Sequence, residues 1–267
     1  MYKGIEVIPG ASRVISELQN QGKQVILLTN NATKSRASFV EKLRNMDIDV
    51  KEDQIISSGY IASLALARNP DISTAFVIGT AELVKMLEEA SVRTLNSQFD
   101  AAKLYAPVLD SSITCDAVLT SLDREITYPK IRTAMELINR GAAFYATNSD
   151  STFPEQGQLC PGGGVMLAAV QTSVGFPPKE IFGKPNVLGL LMIHEIVTKK
   201  GFALKDMILI GDRFETDILQ ANRMKIDSVF VATGVNKMED LEEIDDVTVK
   251  AEMAPTYHLK SIRDLLD

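Results

Sequence analysis

Residues 207–217 read MILIGDRFETD, a short apolar run that ends in two carboxylates, Asp212 and Asp217. A run of about four to eight apolar residues bounded by turn signals suits a buried strand of a parallel sheet. In open α/β sheets, ligands gather beyond the carboxyl ends of such strands. Gly211 lets the backbone turn as it leaves the sheet. Two acids on one turn, with Thr216 between them, are costly beside an apolar core unless a cation or a hydrogen-bond network takes up their charge. A hard cation such as Mg²⁺ suits them. A second reading is equally open here: Asp212 caps the following helix and Asp217 is a first-turn acid favoured by the helix dipole.

Outward from this stretch, strand and helix alternate, the pattern of a doubly wound parallel sheet. Upstream, helix 11–21 leads to the strand QVILL at 24–28, which ends in Thr29-Asn30-Asn31. Helix 35–46, a short strand at 55–56 and helix 59–67 follow, and residues 1–10 read as a loop closed by Pro9-Gly10. The alternation restarts at 75–78, with helix 81–89, strands 92–95 and 117–120, helix 129–140 and strand 143–146 running into Thr147-Asn148-Ser149-Asp150. This middle third reads as a self-contained α/β unit.

Residues 151–164 carry Pro154, Gly157, Pro161 and three successive glycines, so regular structure is not expected there. Those glycines, placed before helix 165–172, could cradle a phosphate, but the dinucleotide GxGxxG spacing is absent. A short strand at 180–182 stops at Gly183-Lys184-Pro185, and helix 186–197, the opening strand, helix 216–224 and strand 227–231 complete the pattern. The acidic stretch 239–246 reads as a solvated helix face, and 257–266 as a strand remnant plus helix. If 24–28, 180–182 and 207–210 share one parallel sheet, then Thr29, Asn30, Lys184, Asp212 and Asp217 meet at one edge. A hydroxyl, an amide, an ammonium and two carboxylates are what a magnesium-dependent phosphoryl site requires.

Composition narrows the classes. The chain has 267 residues, 45% hydrophobic and 24% charged, enough for one large or two ordinary domains. A net charge of −7 and a pI near 5.1 argue against a nucleic-acid or anionic-membrane surface. Cys115 and Cys160 form no CxxC pair, so buried, reduced thiols of a cytoplasmic protein are expected rather than a disulfide framework or zinc site. No uncharged apolar stretch of ~18 residues offers a membrane span, and no signal-peptide core is evident. His194 and His258 read as core-edge residues rather than catalysts.

The stretches ILLTNNAT at 26–33, FGKPN at 182–186 and GDRFETDI at 211–218 resemble motifs II, III and IV of the haloacid dehalogenase superfamily. More narrowly, TNSDSTFPEQGQLCPGGG at 147–164 and VATGV at 231–235 resemble its p-nitrophenylphosphatase branch, which carries a large α/β cap between motifs II and III. The resemblance implies a doubly wound α/β core at 1–71 and 181–267, with an α/β cap domain inserted at 72–180. It implies a Mg²⁺-dependent phosphomonoester hydrolase acting on a small phosphorylated metabolite, and it allows a homodimer. Thr29, Asn30 and Asn31 would hold the phosphate; Lys184 would bridge phosphate and nucleophile; Asp212 would hold Mg²⁺, and Asp217 would complete the metal site or stand behind it. Asn148 and Asp150 would close the cap over the leaving group; the turn at Asp123 in SLDREITY resembles another landmark of the family, and a structural role in positioning the cap is equally open.

One motif departs from the pattern. The family's motif I, an apolar strand ending in DxDGT, supplies the aspartate nucleophile and the acid/base aspartate. Met1-Tyr2-Lys3-Gly4 resembles what trails it, and Asp47-Ile48-Asp49 has the DxD spacing but follows a helix and lacks Gly-Thr. The expectation is a chain begun at an internal methionine with the first core strand missing; a protein that evolved without motif I, kept as an inert phosphate-recognising or regulatory fold, is the alternative. Without those aspartates no turnover is expected.

Overall fold

The computed structural model describes residues 1–3, 6–155 and 157–266. Where the sequence suggested a loop, β1 (Tyr2–Lys3) pairs antiparallel with β2 (Glu6–Val7); Gly4 lies outside the described residues, as does Gln156 of the 151–164 stretch. Val14 and Ile15 on helix α1 (Ala11–Asn20) are buried, and Gly22 closes the turn after it at φ 75°. Strand β3 (Leu27–Thr29) is shorter than the QVILL run, because its one partner, β4 (Ile55–Ser57), supplies three register positions from Leu27↔Ile55 to Thr29↔Ser57. Helix α2 (Arg36–Arg44) lies between them and starts on a true cap, the Ser35 side chain accepting from the Ser38 amide. Helix α3 (Ser58–Arg68) follows β4 and leads into the inserted unit.

The insert holds β5 (Thr74–Ile78), α4 (Ala81–Glu89), β6 (Arg93–Thr94), the short helices α5 (Leu95–Gln98) and α6 (Ala101–Leu104), β7 (Ala117–Thr120), α7 (Tyr128–Asn139) and β8 (Ala143–Ala146). Its remaining elements are the hairpin β9 (Thr152–Glu155) and β10 (Gln158–Pro161), helix α8 (Gly163–Val174) and β11 (Glu180–Ile181). The hairpin corrects the expectation of irregular backbone at 151–164: Gly157 at φ 78° makes the turn, and Pro154 is tolerated because the pair has only one ladder to satisfy. The five parallel strands run in the order β11-β8-β7-β5-β6. Phe76, Ile78, Val118 and Phe144 pack one face under α7 and α8, and Val77, Leu119 and Tyr145 on the other face join a cluster that includes Leu66, Leu190 and Leu209 of the core.

Strand β11 is a second correction. It pairs with β8 through Glu180↔Tyr145 and Ile181↔Ala146, so the strand before Lys184 belongs to the inserted sheet and not to the sheet of QVILL and MILI. Lys184 therefore enters the core edge from the insert. Beyond it come α9 (Leu188–Thr198), β12 (Ile208–Gly211), a π-helical turn at Phe214–Ile218, α10 (Leu219–Met224), β13 (Asp227–Val231), α11 (Met238–Glu242), α12 (Val247–Glu252) and β14 (Tyr257–Leu259). Strands β12, β13 and β14 form a second parallel sheet in that order.

The core is thus two half-sheets. Among the described residues β3 pairs only with β4 and β12 only with β13, and between their inner edges lies a cleft of about 1420 Å³. Helix α1 supplies Val14 and Ile15 to its lining and α9 supplies Leu190 and Ile193. Both cysteines are free and half-buried, less covered than expected; the Cys115 thiol donates to the Ala117 carbonyl at 3.1 Å, and burial pushes it up to about 12. Among the described residues, no helix is long and apolar enough to cross a membrane.

Candidate functional site

Thr29 ends β3, and the next three residues turn sharply. The Asn31 amide donates to Thr29 Oγ1 at 3.1 Å, while Asn31 Oδ1 accepts from the Thr33 amide at 2.9 Å and its hydroxyl at 2.7 Å. Asn31 thereby braces the turn and stays exposed. Asn30 is 8% exposed and faces the insert. Its Oδ1 accepts from the Lys184 amide at 2.7 Å, and its Nδ2 donates to the Lys184 carbonyl at 3.2 Å and to Asp150 Oδ1 at 3.0 Å. Its backbone carbonyl accepts from Ser58 Oγ at 2.6 Å and Asn148 Nδ2 at 2.9 Å. One asparagine therefore fastens β3 to the insert on one side and to the loop after β11 on the other.

The peptide between Lys184 and Pro185 is cis. The Lys184 ammonium meets Asp217 Oδ1 at 2.5 Å, with the two side chains only 14% and 7% exposed. Burial works against this ammonium, but Asp217 overrides it by charge and hydrogen bond, helped by Asp212 and Asp150, and the pKa lies above the ordinary 10.5. Asp217 Oδ2 accepts from the amides of Asp212 and Arg213, each at 3.2 Å. Both Asp217 oxygens are thus committed.

Asp212 is placed otherwise. Its Oδ2 accepts from the Val235 amide at 2.7 Å, and its carbonyl accepts from the Asn236 amide at 3.1 Å. Among the described residues nothing donates to Oδ1. Asp212 is not the cap of the helix after it, since the residue before the π-helical turn is Arg213, and the Phe214 amide donates instead to Asn236 Oδ1 at 3.1 Å. A π-turn is an uncommon distortion that gathers at functional sites; here Phe214 stacks on Phe230 at 4.3 Å, and Asp217 points back at the strand end.

The structure joins all of Asn30, Lys184, Asp212 and Asp217 in one bonded series, with Thr29 and Asn31 at its start. Asn148 and Asp150 approach the series through Asn30, and Arg213 Nη1 stands 3.7 Å from Asp150 Oδ1. Asp123 is farther away in function: it accepts from Lys130 Nζ at 2.8 Å and the Glu125 amide at 2.9 Å, fixing a turn of the insert. Among the described residues no hydrogen bond links His194 or His258 to these groups. Gly162 and Gly164 pack against the 147–150 loop: a Cβ on Gly162 would stand 2.1 Å from the Asp150 carbonyl oxygen, so these glycines are spent on backbone contact rather than on a phosphate cradle. Sequence reasoning missed Ser58 and Arg213, whose partners lie 28 and 63 residues away.

Comparison with known proteins decides the lineage. An acid sugar phosphatase of Staphylococcus epidermidis is 30% identical over 262 residues, covering 98% of this chain and 91% of that one. Family models described as haloacid dehalogenase-like hydrolase and HAD-hydrolase-like match residues 1–93 and 181–265. The chain belongs to the haloacid dehalogenase-like hydrolases. Among solved structures of this family it resembles the 4-nitrophenylphosphatase of Thermotoga maritima, with TM-score 0.81, 28% identity and coverage of 99% of this chain and 91% of that one. It also resembles a Mycobacterium tuberculosis glycerol phosphate phosphatase in complex with magnesium, with TM-score 0.81, 25% identity and coverage of 99% and 72%. The likeness extends across core and insert, so the haloacid dehalogenase fold with an α/β cap accounts for the whole chain.

Proposed function

We propose that residues 1–267 form the phosphate- and magnesium-binding part of a phosphomonoester hydrolase site for a small phosphorylated metabolite. The observation that carries this reading is the bonded series Asn30–Lys184–Asp217–Asp212, which begins one residue after Thr29 and fixes one ammonium and, among the described residues, one carboxylate oxygen that accepts no hydrogen bond. The phosphatase relatives support it.

In this reading Thr29 donates its hydroxyl proton to a phosphoryl oxygen, and its Oγ1 is held for that purpose by the Asn31 amide. Lys184 offers positive charge to the same group. Asp217 works behind it, holding the ammonium and the 212–213 amides. The donor set fits magnesium: Mg²⁺ is content with one or two carboxylates plus phosphate oxygens and water, and Asp212 Oδ1 is a hard donor that accepts no hydrogen bond among the described residues. When bound, the ion neutralises charge developing on the transferring phosphoryl group. Asn148 and Asp150 fasten the insert, acting as the cap, to Asn30, so their effect on specificity runs through cap closure.

Hydrolysis by the covalent route needs a further carboxylate as nucleophile and another as acid/base. Among the described residues no group of three or more acidic, histidine or cysteine side chains is arranged to hold a metal ion, and Asp217 is fully engaged. We therefore expect residues 1–267 to bind Mg²⁺, measured by titration calorimetry, with binding lost in Asp212→Ala, and to turn over p-nitrophenyl phosphate no faster than background. Metal-dependent turnover abolished by Asp212→Ala would overturn the expectation of inactivity. Absence of Mg²⁺ binding would sink the proposed site and leave an inert fold.

A further inference from the structure

The turn that carries Thr29, Asn30 and Asn31 runs on to Ser35, where α2 begins, and α2 holds only half of its own cap. In a capping box the side chain of the first residue accepts from the amide three positions on, and a Glu or Gln at that position reaches back to the first residue's amide. Here Ser35 Oγ accepts from the Ser38 amide at 3.1 Å, but residue 38 is a serine and has no carboxylate to return.

The carboxylate comes from the insert. Glu82, in the first turn of α4, accepts from the Ser35 amide through Oε2, and Ser38 Oγ stands 3.3 Å and 3.2 Å from its two oxygens. It also sets negative charge at the positive end of the α2 dipole. Thr80, the residue that caps α4, donates from Oγ1 to the Thr33 carbonyl at 3.4 Å. A Cβ on Gly59, in the first turn of α3, would stand 2.9 Å from Met86 Cε and 3.2 Å from both Ala32 Cβ and Leu83 Cδ1, so the turn and α4 close on each other there.

These bonds lead back to the site. Glu82 holds Ser35, Thr80 holds Thr33, the Thr33 amide and hydroxyl donate to Asn31 Oδ1, and the Asn31 amide donates to Thr29 Oγ1. Glu82 is not among the residues lining the cleft with Lys184, Asp212 and Asp217, so it reaches the Thr29 hydroxyl only through the turn.

We propose that Glu82 is a positioning residue for this turn: it completes the cap of α2 from the insert and thereby fixes residues 29–35, the Thr29 hydroxyl included. Its consequence for phosphate rests on the hydrolase reading above; its hold on the turn does not.

The test compares the parent protein with Glu82→Ala and with the double variant Glu82→Ala, Ser38→Glu, which moves the missing carboxylate into α2 itself. Amide hydrogen exchange followed by nuclear magnetic resonance should quicken about fivefold at Asn31, Thr33 and Ser35 in Glu82→Ala, as for a lost cap, and stay unchanged in β7. The double variant should return these amides to within about twofold of the parent. Titration calorimetry with inorganic phosphate and Mg²⁺ should find affinity about fivefold weaker in Glu82→Ala and recovered in the double variant. Exchange that quickens at Ser35 but not at Asn31 and Thr33 would make Glu82 a helix cap alone and overturn the proposal. Equal quickening in β7, a double variant that recovers nothing, or phosphate affinity untouched by Glu82→Ala would overturn it too. A parent protein that binds no phosphate would sink the hydrolase reading instead, and exchange at Asn31 and Thr33 would still decide whether Glu82 holds the turn.

Discussion

Burying an ammonium lowers its pKa, yet Lys184 stands above 10.5 because Asp217 attracts its charge and accepts its hydrogen bond at 2.5 Å and Asp212 and Asp150 add to the field. The sign of the pH dependence follows. A group whose folded pKa is raised contributes stability that is complete below its unfolded value and drains as pH rises through the folded one. Chemical unfolding should therefore show a loss of stability above pH 10.5 that Lys184→Met lacks. At pH 7, removing one partner strands the other charge at a site only 14% or 7% exposed, a change that typically costs ~3–5 kcal/mol. Lys184→Met and Asp217→Asn should each fall in that range by urea denaturation, and the double variant should cost clearly less than their sum. Additive losses would mean that the pair is not coupled.

Elements set where these residues stand. A Cβ on Gly234, in the turn after β13, would stand 1.7 Å from Asp212 Oδ2. Gly234→Ala should therefore displace Asp212 and weaken Mg²⁺ binding by calorimetry at least about tenfold, with far-ultraviolet circular dichroism unchanged; undiminished binding would show that Asp212 is not the metal's ligand. How much of this was legible in sequence differs by element. Strands β7, β8 and β13 match the runs at 117–120, 143–146 and 227–231 residue for residue, because their interiors are buried on both faces and leave a continuous run to read, even though β13 opens on the exposed Asp227. The site residues were legible for a related reason: each follows a strand at its carboxyl end. What could not be read was partnership. The run at 180–182 looks like any core strand, and only the register with β8 assigns it to the insert. The 152–161 hairpin was hidden because its proline and glycine signal a break, and a solvent-facing pair accommodates both. The engagement of Asp217 Oδ1 depends on a lysine 33 residues away, beyond any local pattern.

The whole molecule joins two sheet-bearing bodies. In the insert, β5 and β7 carry buried residues at nearly every position, whereas β3 of the core is half-buried throughout and β12 alternates between exposed and buried. Local stability follows buried apolar contact. Native-state hydrogen exchange should accordingly find amides of β5, β7 and β8 opening only with global unfolding, and those of β3 and β12 opening at lower cost. Equal protection in both bodies would contradict this. The bodies meet at Asn30, and its carboxamide has a definite orientation, with oxygen toward the Lys184 amide and nitrogen toward Asp150.

Exchanging that one nitrogen for oxygen, as in Asn30→Asp, would set two carboxylates about 3.0 Å apart with Arg213 and Lys184 as the cations at hand. Two acids that close share one proton and give it up only at a raised pH. The variant's clasp should hold in mild acid and release toward neutrality, visible as a pH-dependent radius of gyration that the parent protein lacks. A static fastening between core and cap is thus a single mutational step from a proton-operated latch.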